Sequence, residues 1–237
     1  MLSGLPQGSG VQIYIGGPSS AASGWTADLV SQIREARIPI NAMYVPSQSW
    51  SDPQAQAKIE AAQIPFLLED LGLPKMPVCM DFEEQFTRQN PNGAADFCAS
   101  MCSYLRSYGI SPGAYGSKDF LTLLAGSVTP PDFVILADWV AKKYEPTDPH
   151  TSPLPSNLWV NPGQRGWQYA GGGASLSGVP VDLNALDFGI CLIDPPPVVS
   201  PPPLIPPDAQ LAPGSYTLQN GGEVTLILPP GTVITSR

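Results

Sequence analysis

The feature that most restricts this fold is a repeated alternation of short apolar runs with helix-patterned segments. Val11 to Gly17 (VQIYIGG) reads as a buried strand closed by glycines, and Trp25 to Ala36 follows with Leu29, Val30 and Ile33 at helical spacing. Pro39 to Val45 is then a second strand. Asp52-Pro53 supplies an N-cap and a first-turn proline for the helix PQAQAKIEAAQ, with a Leu/Asp/Gly stretch after it. Pro77 to Glu84 holds a third strand. Ala94 to Tyr108 is the clearest helix, striped by Phe97, Met101, Tyr104, Leu105 and Tyr108 and stopped by Gly109. Ser111 to Tyr115, the helix Lys118 to Ala125, and strands at Phe133 to Val140, Trp167 to Tyr169 and Val181 to Phe188 complete the series. Such alternation with short turns predicts an α/β fold with a parallel sheet, a TIM-like (β/α) barrel left incomplete at about seven strands.

The third strand, PVCMDFEE, carries the most chemistry. With a period of two, Cys79, Asp81 and Glu83 share one face and Met80 and Phe82 the other. Side chains two apart on a strand lie about 6.5 Å from each other. Two carboxylates at that spacing flank one substrate bond or perturb each other's ionisation.

Composition narrows the alternatives. A net charge of −9 without a basic cluster argues against nucleic acid and anionic membrane surfaces as partners. The first residues, Met1 to Gly10, form a Ser/Gly/Pro-rich tail with neither a basic nor an apolar signal region, and no run is apolar enough to span a bilayer. The four cysteines, Cys79, Cys98, Cys102 and Cys191, with a single histidine, His150, make neither a disulfide framework nor a zinc site, and buried thiols are expected. There is no nucleophile elbow, phosphate loop or dinucleotide fingerprint, so no metal or cofactor is expected. Acid chemistry remains.

In an α/β barrel the catalytic groups stand at the C-terminal ends of the strands. Asp81 and Glu83 occupy such an end, and the other strand ends add Tyr14, Tyr44, Tyr115, Trp139, Gln168 and Asp182 as candidate substrate-binding residues. Aromatics and amides around paired acids suit a sugar, whose faces stack and whose hydroxyls take hydrogen bonds.

From Asp194 the character changes. DPPPVVSPPPLIPPD predicts a stiff polyproline linker over 194–213, which places the barrel at 11–193. Beyond the linker, 214–237 reads as a small β-hairpin segment around Asn220-Gly221-Gly222, too short for its own core and suited to docking or self-association.

The ordered motifs MPVCMDFEE, SPGAYGS, ILADWV, GWQYAGG and GVPVDLN resemble the successive strands of the family-25 glycoside hydrolases, the lysozyme-like muramidases. YIGG and DPQAQAKIEAAQ resemble the related bacterial glycoside hydrolase-like domain. The resemblance runs from about Val11 to Cys191. It implies cleavage of the β-1,4 bond between N-acetylmuramic acid and N-acetylglucosamine in peptidoglycan. By the same resemblance Glu83 is the general acid, kept protonated, and Asp81 an ionised group that orients the substrate's 2-acetamido group or stabilises positive charge. Asp182 lines the floor of the site. One motif is missing: the muramidases open with a strand of the type GIDVS whose Asp joins the catalytic group, whereas VQIYIGG resembles their second strand. The alternative function is therefore a weakened barrel that serves as a structural or wall-binding part of a phage virion, with virion proteins as partners. In either case the expected site of action is the cell wall, reached within a virion or by a non-classical route.

Overall fold

The computed structural model describes residues 10–19, 25–141, 148–170, 175–176, 179–180 and 182–192. By contacts the chain divides into two units, Met1–Pro195 and Pro196–Arg237, and all described residues belong to the first. Most of the N-terminal tail, the glycine loop at 171–173, the proline-rich stretch and the segment 214–237 lie outside them.

Strands and helices alternate as the pattern demands: β1 (Val11–Gly16), α1 (Ala27–Glu35), β2 (Ile40–Tyr44), α2 (Pro53–Asp70), β3 (Val78–Asp81), α3 (Glu84–Gln89), α4 (Pro91–Ser107), β4 (Pro112–Gly116), α5 (Lys118–Ala125), β5 (Phe133–Ala141) and β6 (Arg165–Ala170). A two-stranded ribbon of β7 (Ser175–Leu176) and β8 (Val179–Pro180) precedes β9 (Leu183–Leu186). The main sheet has seven strands in the order β1-β2-β3-β4-β5-β6-β9. Neighbours from β1 to β6 are parallel.

The sheet is curled into a half-barrel, and chain length shows why. Leu192 pairs with Ile40 at the start of β2, and the Asn41 side chain donates to the Ile190 carbonyl at 3.2 Å. A flat sheet would separate β2 from β9 by about 24 Å, at ~4.8 Å per strand. Leu192 follows Leu186 by only six residues, a reach of at most roughly 20 Å when fully extended, and a 3-10 turn at Phe188–Ile190 shortens it. Curling brings β9 back toward β2. Among the described residues β1 and β9 do not pair, so the sheet remains open.

The two faces of the sheet bury different cores. Outside, Val30 and Ile33 of α1, Ala57, Ala61, Ile64 and Leu68 of α2, and Phe97, Met101 and Leu105 of α4 cover Ala42, Val78, Met80, Ala114 and Val134. Inside, Met43, Cys79, Phe133, Ile135 and Ile190 form a smaller cluster, with Tyr14, Tyr115 and Leu186 at its border. Two glycines make that inner cluster possible. A Cβ on Gly113 would lie 2.2 Å from the Phe133 ring, and one on Gly166 would lie 2.6 Å from Leu186.

Three features depart from the sequence reading. Helix α2 continues past Gln63 and through Pro65 to Asp70. The proline forfeits one helical hydrogen bond, but burial of Ile64 and Leu68 offsets that loss. Helix α3 occupies part of the interval between the third strand and the helix at Ala94, where the pattern assigns no element. The last strand, β9, runs antiparallel to β6, and among the described residues a short ribbon and no crossover helix lies between the two. No α-helix lies between β5 and β6 among the described residues. There the buried Arg165 guanidinium donates to the carbonyls of Pro155, Leu158 and Trp159 and pins the loop to the sheet.

At the end of β3 the Phe82 ring turns outward among Phe120 at 5.0 Å and Trp50 and Phe97 at 6.2 Å between centroids. Phe82→Ala is expected to cost about 3–5 kcal/mol of unfolding free energy in a denaturant titration.

Candidate active site

Because Phe82 is committed to the outer core, its neighbours Asp81 and Glu83 face inward. Glu83 continues the extended backbone, with φ −66° and ψ 130°, as the N-cap residue of α3. It is exposed, whereas Asp81 is 4% exposed. The strand is held at this level by neighbours on both sides. Tyr115 of β4 pairs with Asp81, and Gln48, in the loop after β2, donates to the Asp81 carbonyl oxygen at 3.1 Å.

Around the acids the inner face turns polar. Tyr14 of β1 donates its hydroxyl to Asp81 Oδ2 at 3.4 Å. The Tyr115 hydroxyl donates to Gln168 Oε1 at 2.7 Å, and the Trp139 indole N–H donates to the same oxygen at 2.5 Å. Asp182, just before β9, is exposed, and its charge reaches both Tyr14 and Tyr115. Seven of the residues singled out from sequence therefore meet at one end of the half-barrel: Asp81, Glu83, Tyr14, Tyr115, Trp139, Gln168 and Asp182.

Tyr44 does not join them. On β2 it alternates with the inward-facing Asn41 and Met43 and points out under α2, fully buried. Its hydroxyl donates to Glu60 Oε2 at 3.1 Å, and Glu60 also accepts from the Ser47 backbone N–H. Its part is to brace the loop at the rim, not to contact a ligand in the cleft.

Sequence reasoning passed over Asn184, which pairs with Gln168 across β6 and β9 and so shares its face. The signal was present: Asn184 lies two residues beyond Asp182 on the same alternation. Its Oδ1 is buried without a partner, as is Asp81 Oδ1.

The electrostatics bear on the ionised state expected of Asp81. Burial, reinforced by the Glu83 charge and partly relieved by the Tyr14 hydrogen bond, raises the Asp81 carboxyl to about 7. In the free cleft Asp81, expected to be ionised, is thus the acid that holds a proton toward neutral pH. Tyr14 and Tyr115 are pushed far above the usual phenol range, first by burial and then by the Asp81 charge, so both remain protonated donors.

Elsewhere, the thiols of Cys79, Cys98 and Cys102 are free and buried. Among the described residues no group of three His, Cys, Asp or Glu is placed to hold a metal ion, and no helix is long and apolar enough to cross a membrane. A shallow groove lined by Asp28, Ser31, Arg34, Glu35 and Leu71 runs along α1 and includes none of the cleft residues.

A curled α/β sheet whose inner rim presents paired acids, phenols and an oriented amide defines a protein of the glycoside hydrolase-like class. Residues 7–186 match the model of the Rv2525c-like, glycoside hydrolase-like domain, and the chain belongs to that family. No curated protein matches the chain in sequence. Among solved structures it is similar to the Tat-secreted protein Rv2525c of Mycobacterium tuberculosis, at 14% identity over 74% of this chain and 83% of that one, with a TM-score of 0.53. The catalytic domain of endolysin ply40 from bacteriophage P40 of Listeria monocytogenes gives 16% identity, coverage of 79% and 87%, and a TM-score of 0.54. For the Clostridium perfringens spore cortex lytic enzyme SleM the values are 18%, 76% and 60%, and 0.53. At these identities the likeness is one of fold.

The Asp81 environment makes a prediction about stability. Between its ordinary value of 3.8 and about 7 the folded state keeps a proton that the unfolded state has lost, so Asp81 reduces stability as pH rises through that window. The full penalty, at most about 4 kcal/mol, applies above the upper value. Asp81→Asn retains an acceptor for Tyr14 and removes the charge. It is expected to unfold at higher denaturant than wild type at pH 8, with the gain gone at pH 3.

Proposed function

We propose that this chain is a peptidoglycan-directed glycoside hydrolase that cleaves the muramic acid to glucosamine linkage in the manner of the family-25 muramidases. The observation that carries this reading is the placement of Asp81 and Glu83 together on the inner rim, with Tyr14 bonded to Asp81 and an aromatic-amide wall opposite. The similarity in fold to an endolysin catalytic domain and to a spore cortex lytic enzyme supports the same substrate class.

In the proposed mechanism the exposed Glu83 protonates the glycosidic oxygen, because it stands where a polysaccharide strand reaches it. Asp81 lies deeper. Its unpartnered Oδ1 accepts the N–H of the sugar's acetamido group, which stabilises the ionised form of Asp81. The proton that Asp81 releases passes by way of Glu83 to the leaving oxygen. The acetamido oxygen, held over the anomeric carbon, then takes up the developing positive charge, and water completes hydrolysis with Glu83 as base. Tyr14 orients Asp81 throughout.

Glu83 is exposed and makes no side-chain cap hydrogen bond, so Glu83→Gln leaves the fold intact. Release of soluble muropeptides from purified cell walls is expected to fall about 10²–10⁴-fold in that variant. Walls bound but not cleaved by wild type would favour the weakened barrel acting as a wall-binding component of a virion. Failure of both binding and cleavage would exclude peptidoglycan as the substrate.

The pair also dictates a pH limb. The free enzyme is competent only while it carries the Asp81 proton, so kcat/KM is expected to fall as pH rises through about 7. In Asp81→Asn the residual activity is expected to lack that limb.

A further inference from the structure

Gln168 accepts twice through one atom, and the donors are not equivalent. A phenol hydroxyl donates or accepts, but an indole N–H only donates. The Trp139 Nε1 at 2.5 Å therefore requires an oxygen at that position of the Gln168 amide and removes the usual ambiguity between its two ends. Tyr115, which could bond either end, then donates to the same oxygen at 2.7 Å. The NH2 end is left as a pair of donors, and among the described residues no acceptor is bonded to it. Gln168 itself is 4% exposed, so this is a side chain built into the wall and not a surface amide.

Two buried acceptors share the inner face with that amide. Asp81 sits on the strand next to Tyr115, and Asp81 Oδ1 is buried and unpartnered. Asn184 stands across from Gln168 in the sheet register, and its Oδ1 is also unpartnered. A ligand that satisfies both kinds of group offers an acceptor to Gln168 and a donor to Asp81. A hydroxyl does either with one atom, whereas a secondary amide does both with adjacent atoms. A protonated amine offers donors alone and meets the Gln168 NH2 unfavourably.

We infer that Gln168 is a specificity-determining residue that donates to the carbonyl of the sugar's N-acetyl group, and that Trp139 is a positioning residue that locks the Gln168 amide in the donating orientation. The inference deepens the glycosidase reading of the same cleft and rests on it for the substrate class. It makes the cleft selective for N-acetylated over de-N-acetylated glycan. A wall whose amino sugars have lost their acetyl groups is then a poor ligand even where its chain length and shape are unchanged.

The test is a calorimetric titration of the full chain with tri-N-acetylchitotriose and with the same trisaccharide after complete de-N-acetylation. Wild type is expected to bind the acetylated form at least tenfold more tightly. In Gln168→Ala that ratio is expected to fall about tenfold, through loss of the acetylated ligand alone. Trp139→Phe keeps an aromatic ring but lets the amide turn over, and should lower the ratio in the same direction. Gln168→Glu still accepts from Trp139 and Tyr115 yet has no donor and carries negative charge. It should invert the preference toward the amine sugar, a change of sign that damage to the fold does not produce. Equal losses for both ligands, an unchanged preference in Gln168→Glu, or no binding of the acetylated trisaccharide by wild type would each overturn the inference. Digestion of walls is scored separately: cleavage without acetyl selectivity defeats this inference and leaves the hydrolase reading, and selectivity without cleavage does the reverse.

Discussion

The contact on which the cleft depends is the burial of Phe82 against Trp50, Phe97 and Phe120. Alternation along a strand is binary, so sending one ring outward sends the residues on both sides of it inward. Asp81 and Glu83 face a common space for that reason. The same anchoring removes Asp81 from water while leaving Glu83 near the opening, and one packing decision thereby makes the two carboxylates chemically different. A site built this way works against the fold that carries it, because a buried acid beside a second acid is destabilising whenever both are ionised.

The inner face of the half-barrel is divided along its length. Its lower part is apolar and closed by Ile190, with Gly113 and Gly166 giving the room that Phe133 and Leu186 occupy. Its upper part is polar, and hydrogen bonds cross it from strand to strand: Tyr14 reaches from β1 to β3, Tyr115 from β4 to β6, and Trp139 from β5 to β6. These are long side chains spanning a concave surface. They need the curl, because on a flat sheet the β1 and β3 side chains would stand parallel, about 10 Å apart across the intervening strand. The short return from β9 to β2 enforces that curl, so the backbone pairing of Leu192 with Ile40 at the bottom of the sheet helps to set the geometry of the acids at the top.

Much of this was legible in the sequence where the pattern carried a chemical mark. The DFE alternation was readable because a ring lies between two acids, and the strand-helix order followed from periodicity and caps. Tyr44 is hard to place because every residue of its strand is buried and INAMY carries a single polar mark, Asn41, to assign the parity. Proximity to a strand end is a weaker guide than parity, and with Asn41 taken as the inward residue Tyr44 would have been placed outside. The length of α2 was hidden by Pro65, whose local preference yields to the burial of Ile64 and Leu68. The proton on Asp81 was out of reach altogether. Which of two neighbouring acids loses more water depends on how the loop after β3 leaves the sheet, and no spacing rule contains that.

Family membership and fold likeness at identities below one in five leave the chemistry to be argued from the side chains themselves. The cleft offers an unusually well-determined starting point, because one of its hydrogen bonds has a single possible direction. An indole cannot accept, so the orientation of the Gln168 amide follows from Trp139, the partly exposed residue that donates to it at the mouth of the cleft. Donors then face the ligand from β6, and buried oxygens face it from β3 and β9. A purely hydroxylated sugar satisfies such a lining piecemeal. On the reading proposed above, an N-acetylated one satisfies Gln168 and Asp81 with a single group, and Glu83 is left free for the bond between rings.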